Sequence, residues 1–237
     1  MWIGYRDMEL TAWLTTSHLI MLGLLLVFSV FHSGLAALRT WGEAKIGVRF
    51  YRIFFVLVNL PIAIFLIVYF FYHRYDGLIL WQFQEFLAVK VVVWLLSAIS
   101  FFFLYPSTFN LLEIAAINEP KVHLHETGIL RVCRHPQMVG QVIWCIAHTL
   151  WIGSSFTVMT SLILITYHLF AIWHGDYRLE KLYGEQFIYA KQRTSIVPFL
   201  AILDGRQTLL LNEFLRPAYV GVFGFILLIW FCHLQLF

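Results

Sequence analysis

Six stretches of the chain are almost purely apolar, each bounded by a short polar segment. They run approximately over Ser17–Leu38, Ile53–Tyr72, Val89–Tyr105, Gln137–Gly153, Phe156–Trp173 and Ala218–Leu236. A hydrocarbon layer is roughly 30 Å thick, which about twenty helical residues cross. Inside it no water satisfies backbone groups, so each stretch reads as a helix. The pattern predicts an all-α integral membrane helical bundle of about six transmembrane helices. The third and fourth stretches are short and admit little tilt, and Pro61 predicts a kink in the second, near Asn59. No repeat, low-complexity tract or Pro/Ser linker divides the 237 residues, so 1–237 reads as a single transmembrane domain.

Composition points the same way, with 61% hydrophobic and 12% charged residues where soluble domains run near 45–50% and about 25%. That excludes a disordered chain, a secreted disulfide scaffold and a water-soluble core. Cys133, Cys145 and Cys232 lie far apart and form no paired zinc-binding pattern. The net charge of +3 is spread over several loops, which suits membrane topology and gives no reason to expect nucleic acid. Six crossings gather thirteen of the sixteen Lys and Arg, from Arg39 to Arg216, on one side and leave Arg6, Arg74 and Lys90 opposite. Both termini are then expected on the far side. The first ten residues hold two acids and no Ser- and Arg-rich amphipathic stretch, so a bacterial chain or an already trimmed one is expected.

Ten histidines are many for so apolar a chain, and an ionisable side chain inside a span is a functional hypothesis because its nitrogens need partners. His32, His148 and His168 lie inside predicted spans, at depths of roughly 9, 16 and 8 Å from the positive side at about 1.5 Å per residue. A flat macrocycle held between two imidazoles from two helices is one use for such a set. Hydrogen bonds to neighbouring helices are the other. Beside His32, Ser33 and Gly34 permit a close approach of a flat ligand or of another helix. Cys145 precedes His148 by three residues on the same helical face, as an alternative metal ligand or an inert buried thiol. The spans hold almost no Asp or Glu, which argues against zinc, di-iron and proton-coupled transport chemistry. His123 and His125, in the polar stretch 118–126, read as a solvated loop before they read as a metal site. Arg131, Arg134 and His135, with Lys191, Arg193 and Arg206, form a basic rim suited to carboxylates or to anionic lipid. The 23 Phe and 11 Tyr suit a tunnel for a long apolar ligand, as well as ordinary membrane belts.

Several strings carry a resemblance. Phe31-His32-Ser33-Gly34-Leu35, the run Tyr72–Gly77, the run Ser100–Asn110, Arg134-His135-Pro136-Gln137-Met138-Val139-Gly140, Cys145 through Gly153, and the segment Ser195–Gln207 closely resemble the 15-cis-ζ-carotene isomerase family, part of the wider NnrU-like membrane proteins. The resemblance runs from about residue 25 to about residue 207. It implies a membrane cis–trans isomerase that converts 9,15,9′-tri-cis-ζ-carotene to the 9,9′-di-cis form and carries haem b, ferrous when active. It implies His32 and His148 as catalytic axial haem ligands and Cys145 as an alternative ligand; Arg134, in the basic rim, is the residue that the charge pattern then offers to a haem propionate as cofactor-binding. The expected partners are an apolar polyene, the lipid bilayer, neighbouring carotenoid-pathway enzymes and an electron donor. The expected location is a cyanobacterial thylakoid or plasma membrane, or a plastid membrane for a trimmed form. Two other readings compete. Arg134-His135-Pro136 followed by Leu182–Phe187 and Val197-Pro198 is similar to the S-adenosylmethionine-dependent membrane methyltransferases, although the paired acids expected there are reduced to Gly175-Asp176. A non-catalytic haem or quinone carrier is the third.

Overall fold

The computed structural model describes residues 13–108, 126–215 and 217–236. His123 and His125 lie outside the described residues. The described residues are helical, in the order α1 (Thr16–Ala37), α2 (Arg39–Ile46), α3 (Val48–His73), α4 (Leu87–Thr108), α5 (Ile129–Val132), α6 (Pro136–Ile152), α7 (Ser155–Tyr183), α8 (Glu185–Arg193) and α9 (Leu200–Leu203). A 3₁₀ turn at Leu211–Phe214 and α10 (Pro217–Leu236) complete them. Among these, α1, α3, α4 and α7 are long and apolar enough to cross a membrane. With 17 residues α6 is about 25 Å long and sits at the lower limit. The apolar part of α10 covers Tyr219–Cys232. The protein is thus an all-α membrane bundle.

Two differences from the sequence reading matter. α7 runs past Trp173 to Tyr183, carrying Asp176 and Arg178 on a continuous helix. Between the first two spans the chain forms α2, and Gly47, at φ +85°, reverses it into α3. Pro61 stands inside α3, which continues unbroken to His73.

The chain forms two compact units. The first comprises α1 to α3, the following loop and the start of α4 to Val93, the end of α6 from Cys145, and α7 to Tyr167. Here α1 packs along α3, and α2 folds back onto α3. The ring of Tyr51 lies where a side chain on Gly42 would stand, and its hydroxyl donates to Leu35 O at 2.6 Å. The loop after α3 straps the turn between α6 and α7. Leu80 N donates to Gly153 O at 2.7 Å and Ser155 N to Leu78 O at 2.8 Å. Trp81 Nε1 and Gln84 Nε2 then cap the Leu150 and Trp151 carbonyls at 3.0 and 2.9 Å, which the end of a helix otherwise leaves unbonded. His18, buried in the first turn of α1, accepts on Nδ1 from Thr15 N at 3.3 Å, so its Nε2 donates to Ser155 Oγ at 3.2 Å.

The second unit holds the rest of α4, α5, the first half of α6, α7 from His168, and everything after it. Phe103, Ile129, Val132 and Cys133 form its core with Val139, Ile143, Ile202 and Phe214 against them. Burial pushes the Cys133 thiol up to about 11, against the pull of the His135 backbone and the Arg134 charge, and its Sγ donates to Ile196 O. This cysteine is structural. α4 and α6 cross closely, with Ser100 Oγ donating to Gly140 O at 2.8 Å.

Candidate functional site

In the first unit, the His32 ring is stacked on Phe28, one turn earlier, at 5.1 Å and 22° and meets Phe55 of α3 edge-on at 5.2 Å. Its Nδ1 is buried and has no hydrogen-bond partner among the described residues. Asn59 is close enough for its amide to act on the imidazole. The Asn59 Nδ2 donates to Phe55 O at 2.8 Å, while its Oδ1 is also buried without a partner. Two unmet polar atoms at one apolar spot need an explanation, because buried polar groups are nearly always bonded. The Asn59 amide beside the imidazole supplies one, and a ligand would be another. Nothing packs where a side chain on Gly34 would stand, so this glycine is not serving a close helix crossing.

Cys145 is fully buried and His148 half-buried, both on the part of α6 that belongs to the same unit. Two hydroxyls tie that segment to α7: Thr149 Oγ1 donates to Ser161 Oγ at 2.7 Å, and Ser161 Oγ to Cys145 O at 3.5 Å. On the other side, Ser33 Oγ and Tyr167 OH lie 3.1 Å apart. α7 therefore serves as a ruler, with His148's neighbour at Ser161 and His32's neighbour at Tyr167. Those levels differ by about 9 Å along the helix, close to the offset of roughly 7 Å implied by the predicted depths. His168 belongs to the second unit.

Among the described residues no three His, Cys, Asp or Glu side chains converge on one point, so a bare metal ion has no ligand set there. A haem makes a smaller demand, since the porphyrin fills four positions and the protein one or two. His32, His148 and Cys145 are of the right chemistry for that group.

Arg134 lies in the second unit, half-buried, with a carboxylate already in place. Its Nη2 and Nε donate to Asp176 at 2.8 and 3.2 Å, and His135 Nε2 lies 2.7 Å from the same carboxylate. Nη1 reaches Thr194 Oγ1 at 3.2 Å, and Arg134 N donates to Ser195 O at 2.8 Å. A propionate would have to compete with Asp176 for this guanidinium. The same contacts join Arg134-His135 to Asp176 and to the segment before Val197-Pro198, so packing accounts for the methyltransferase-like spacing. Sequence reasoning passed over Asn59, Ser161 and Tyr167. The signal was a polar side chain inside an apolar span, which it applied to histidines only.

The fold and these residues define an all-helical membrane protein with imidazoles and a thiol set into apolar walls. The chain belongs to the NnrU protein family, which it matches over residues 20–237. It is 52% identical over 235 residues, 98% of its length, to "15-cis-zeta-carotene isomerase, chloroplastic" of Zea mays. It is 53% identical over 216 residues, 90% of its length, to the protein of the same description from Arabidopsis thaliana. The chain spans 64% and 59% of the length of these two relatives. No solved structure matches it.

Proposed function

We propose that this chain is a haem-dependent isomerase that turns the central 15-15′ bond of tri-cis ζ-carotene from cis to trans, in a carotenoid-making membrane of a cyanobacterium or a plastid. The observation that carries the reading is the identity of about half, over nearly the whole chain, to proteins described as 15-cis-zeta-carotene isomerases. The unmet nitrogen of His32 is consistent with it. Rotation about an isolated double bond is very slow, so the site has to lower bond order in the transition state. His32 and His148, on two helices, would hold a ferrous haem b, with Cys145 as the alternative to His148; such a group would supply electron density to the polyene π* orbitals. Phe28 and Phe55 fix the plane of the His32 ring, and the Ser33–Tyr167 contact fixes its helix against α7. The apolar walls exclude water and oxygen and orient the polyene.

The test is an anaerobic assay of purified, dithionite-reduced protein with the 15-cis substrate, the oxidised protein alongside. The reduced protein alone is expected to convert it. His32→Ala and His148→Ala are each expected to lose or displace haem, seen in the Soret band, and to abolish conversion while the protein stays in the membrane. Cys145→Ser is expected to change the spectrum of one oxidation state only. Full haem content and activity in either histidine variant overturns the assignment. A Soret band without conversion makes the chain a carrier, and methyl transfer from S-adenosylmethionine makes it a methyltransferase.

A further inference from the structure

Most basic side chains of the second unit near the membrane surface are paired with a carboxylate, Lys181 excepted, which lies 4.5 Å from the Tyr177 ring centre. Arg131 is paired with Glu213 at 2.9 Å, Arg134 with Asp176 at 2.8 Å, Lys191 with Glu180 at 3.3 Å, Arg193 with Glu126 at 3.0 Å and Arg206 with Asp204 at 2.7 Å. All five pairs lie in the second unit. On α2 and the first turn of α3 the balance differs. Arg39 pairs with Glu43 at 2.8 Å, but Lys45 and Arg49 are exposed and no carboxylate pairs with either among the described residues.

Apolar side chains surround these two cations. Trp41 is 64% exposed and Phe50 70% exposed, with Ile46 and Val48 also open to the surroundings. Trp41 and Lys45 stand four residues apart, one turn along the same face of α2. α2 joins two membrane-spanning helices, so it lies at a membrane surface, where indole rings and cations with long apolar stems are at home. Its position is built in: buried Gly42 admits the Tyr51 ring, the Tyr51 hydroxyl holds Leu35 O, and Gly47 turns the chain at a φ of +85°.

We infer that Trp41, Lys45 and Arg49 form a docking surface for the headgroups of anionic lipid, and that this short helix, not the Arg131–Arg206 rim, is where the protein senses membrane charge. Charge complementarity selects the occupant. The two uncompensated cations suit phosphate esters, while the exposed indole and Phe50 need the acyl boundary beside them, which a soluble anion does not offer. The inference is independent of the haem reading.

The experiment uses the full-length protein in phosphatidylcholine vesicles containing brominated phosphatidylglycerol or, separately, brominated phosphatidylcholine, with tryptophan quenching as the readout. Trp41→Phe measures the share of the signal that Trp41 carries. Wild type is expected to prefer phosphatidylglycerol at Trp41, and Lys45→Gln with Arg49→Gln to lower that preference by about fivefold for each charge removed at low ionic strength. Raised salt is expected to shrink the difference. Lys191→Gln, in the paired rim, is expected to leave the preference unchanged. Equal quenching by the two lipids in wild type, or a larger loss from Lys191→Gln than from the double variant, overturns the inference. So does removal of the preference by inorganic phosphate at an ionic strength where chloride leaves it intact, since the site is then one for a small soluble anion.

Discussion

Two clusters, one in each unit, treat polar groups in opposite ways. In the second unit the charges around Arg134 and Arg131 close on themselves: Asp176 is 6% exposed and accepts from Arg134 while His135 lies against it, and Glu213 holds Arg131 through both oxygens; His168 Nδ1 and Arg178 Nε of that unit are buried outside this network. In the first unit the His32 site and α2 leave groups open, with His32 Nδ1 and Asn59 Oδ1 buried without a close hydrogen bond and with Lys45 and Arg49 unpaired at the surface. A satisfied network rigidifies, while a buried atom without a partner costs free energy that persists only where something compensates for it. The contrast assigns architecture to the Arg134–Asp176 cluster and ligand chemistry to the His32 site.

The largest effect is expected from Asp176→Asn. It strips the carboxylate from Arg134 and His135, whose side chains are 12% and 14% exposed. Removing one partner of a buried pair costs about 3–5 kcal/mol, much of it from the stranded charge. Denaturant unfolding in detergent measures this on haem-free protein, so that ligand linkage does not enter. Whatever Asp176→Asn protein remains folded is expected to bind haem normally. A variant that keeps its stability and loses haem would reverse the roles of the Arg134–Asp176 cluster and the His32 site.

Much of this was legible in the chain because hydrocarbon leaves so few choices. Each apolar run became a helix, and α1 begins and ends within one residue of its predicted span. Periodicity failed where the helix left the apolar run, since Asp176 lies on the continuation of α7 beyond the hydrophobic window that defined it. It failed again for α2, eight residues of mixed polarity whose place is set by Gly42 under Tyr51, a tertiary contact with no local signature. Arg134 was legible as a cation and illegible as a paired one, because its partner lies 42 residues away. His32 and His148 stood out as imidazoles inside apolar spans, but only the structure shows that α7 is the wall they share.

An intermediate effect is expected at two glycines, one in each unit. Gly153 has φ +70°, and the Trp81 carbonyl occupies the place of its missing side chain. Gly153→Ala therefore combines an unfavourable backbone with displacement of the loop that caps α6, a loss of about 1–3 kcal/mol. Gly140 is helical, yet its Cβ would stand 2.8 Å from Ser100 O. Gly140→Ala is expected to cost a similar amount by overpacking alone. The haem spectrum separates them: Gly153→Ala is expected to shift it, because Cys145 and His148 ride on the helix that the loop caps. Gly140→Ala is expected to lower the melting temperature and leave the spectrum in place. Identical spectra for both variants would show that the loop does not position Cys145 and His148.

The smallest effect lies at the end of α3, where Asp76 Oδ2 and His73 Nδ1 are 2.8 Å apart. Partial burial works to raise the Asp76 pKa, but hydrogen bonds from Ser17 and His73 and the nearby His73 and His18 imidazoles outweigh it, so the folded value lies below the ordinary one. A carboxyl with a depressed folded pKa contributes stability that is fully present above its unfolded value, about 3.9, and is lost as pH falls through the folded value. The contribution is well under about 1 kcal/mol, because solvent screens a pair this exposed, with side chains 35% and 37% exposed. Melting temperatures of wild type and Asp76→Asn, taken from pH 7 down to pH 3, check the sign. The gap between them is expected to stay constant down to about pH 4 and to narrow below it. A gap that opens instead between pH 6 and pH 7 would assign the effect to an imidazole in place of the carboxyl, and the first unit would then hold a group titrating near neutrality.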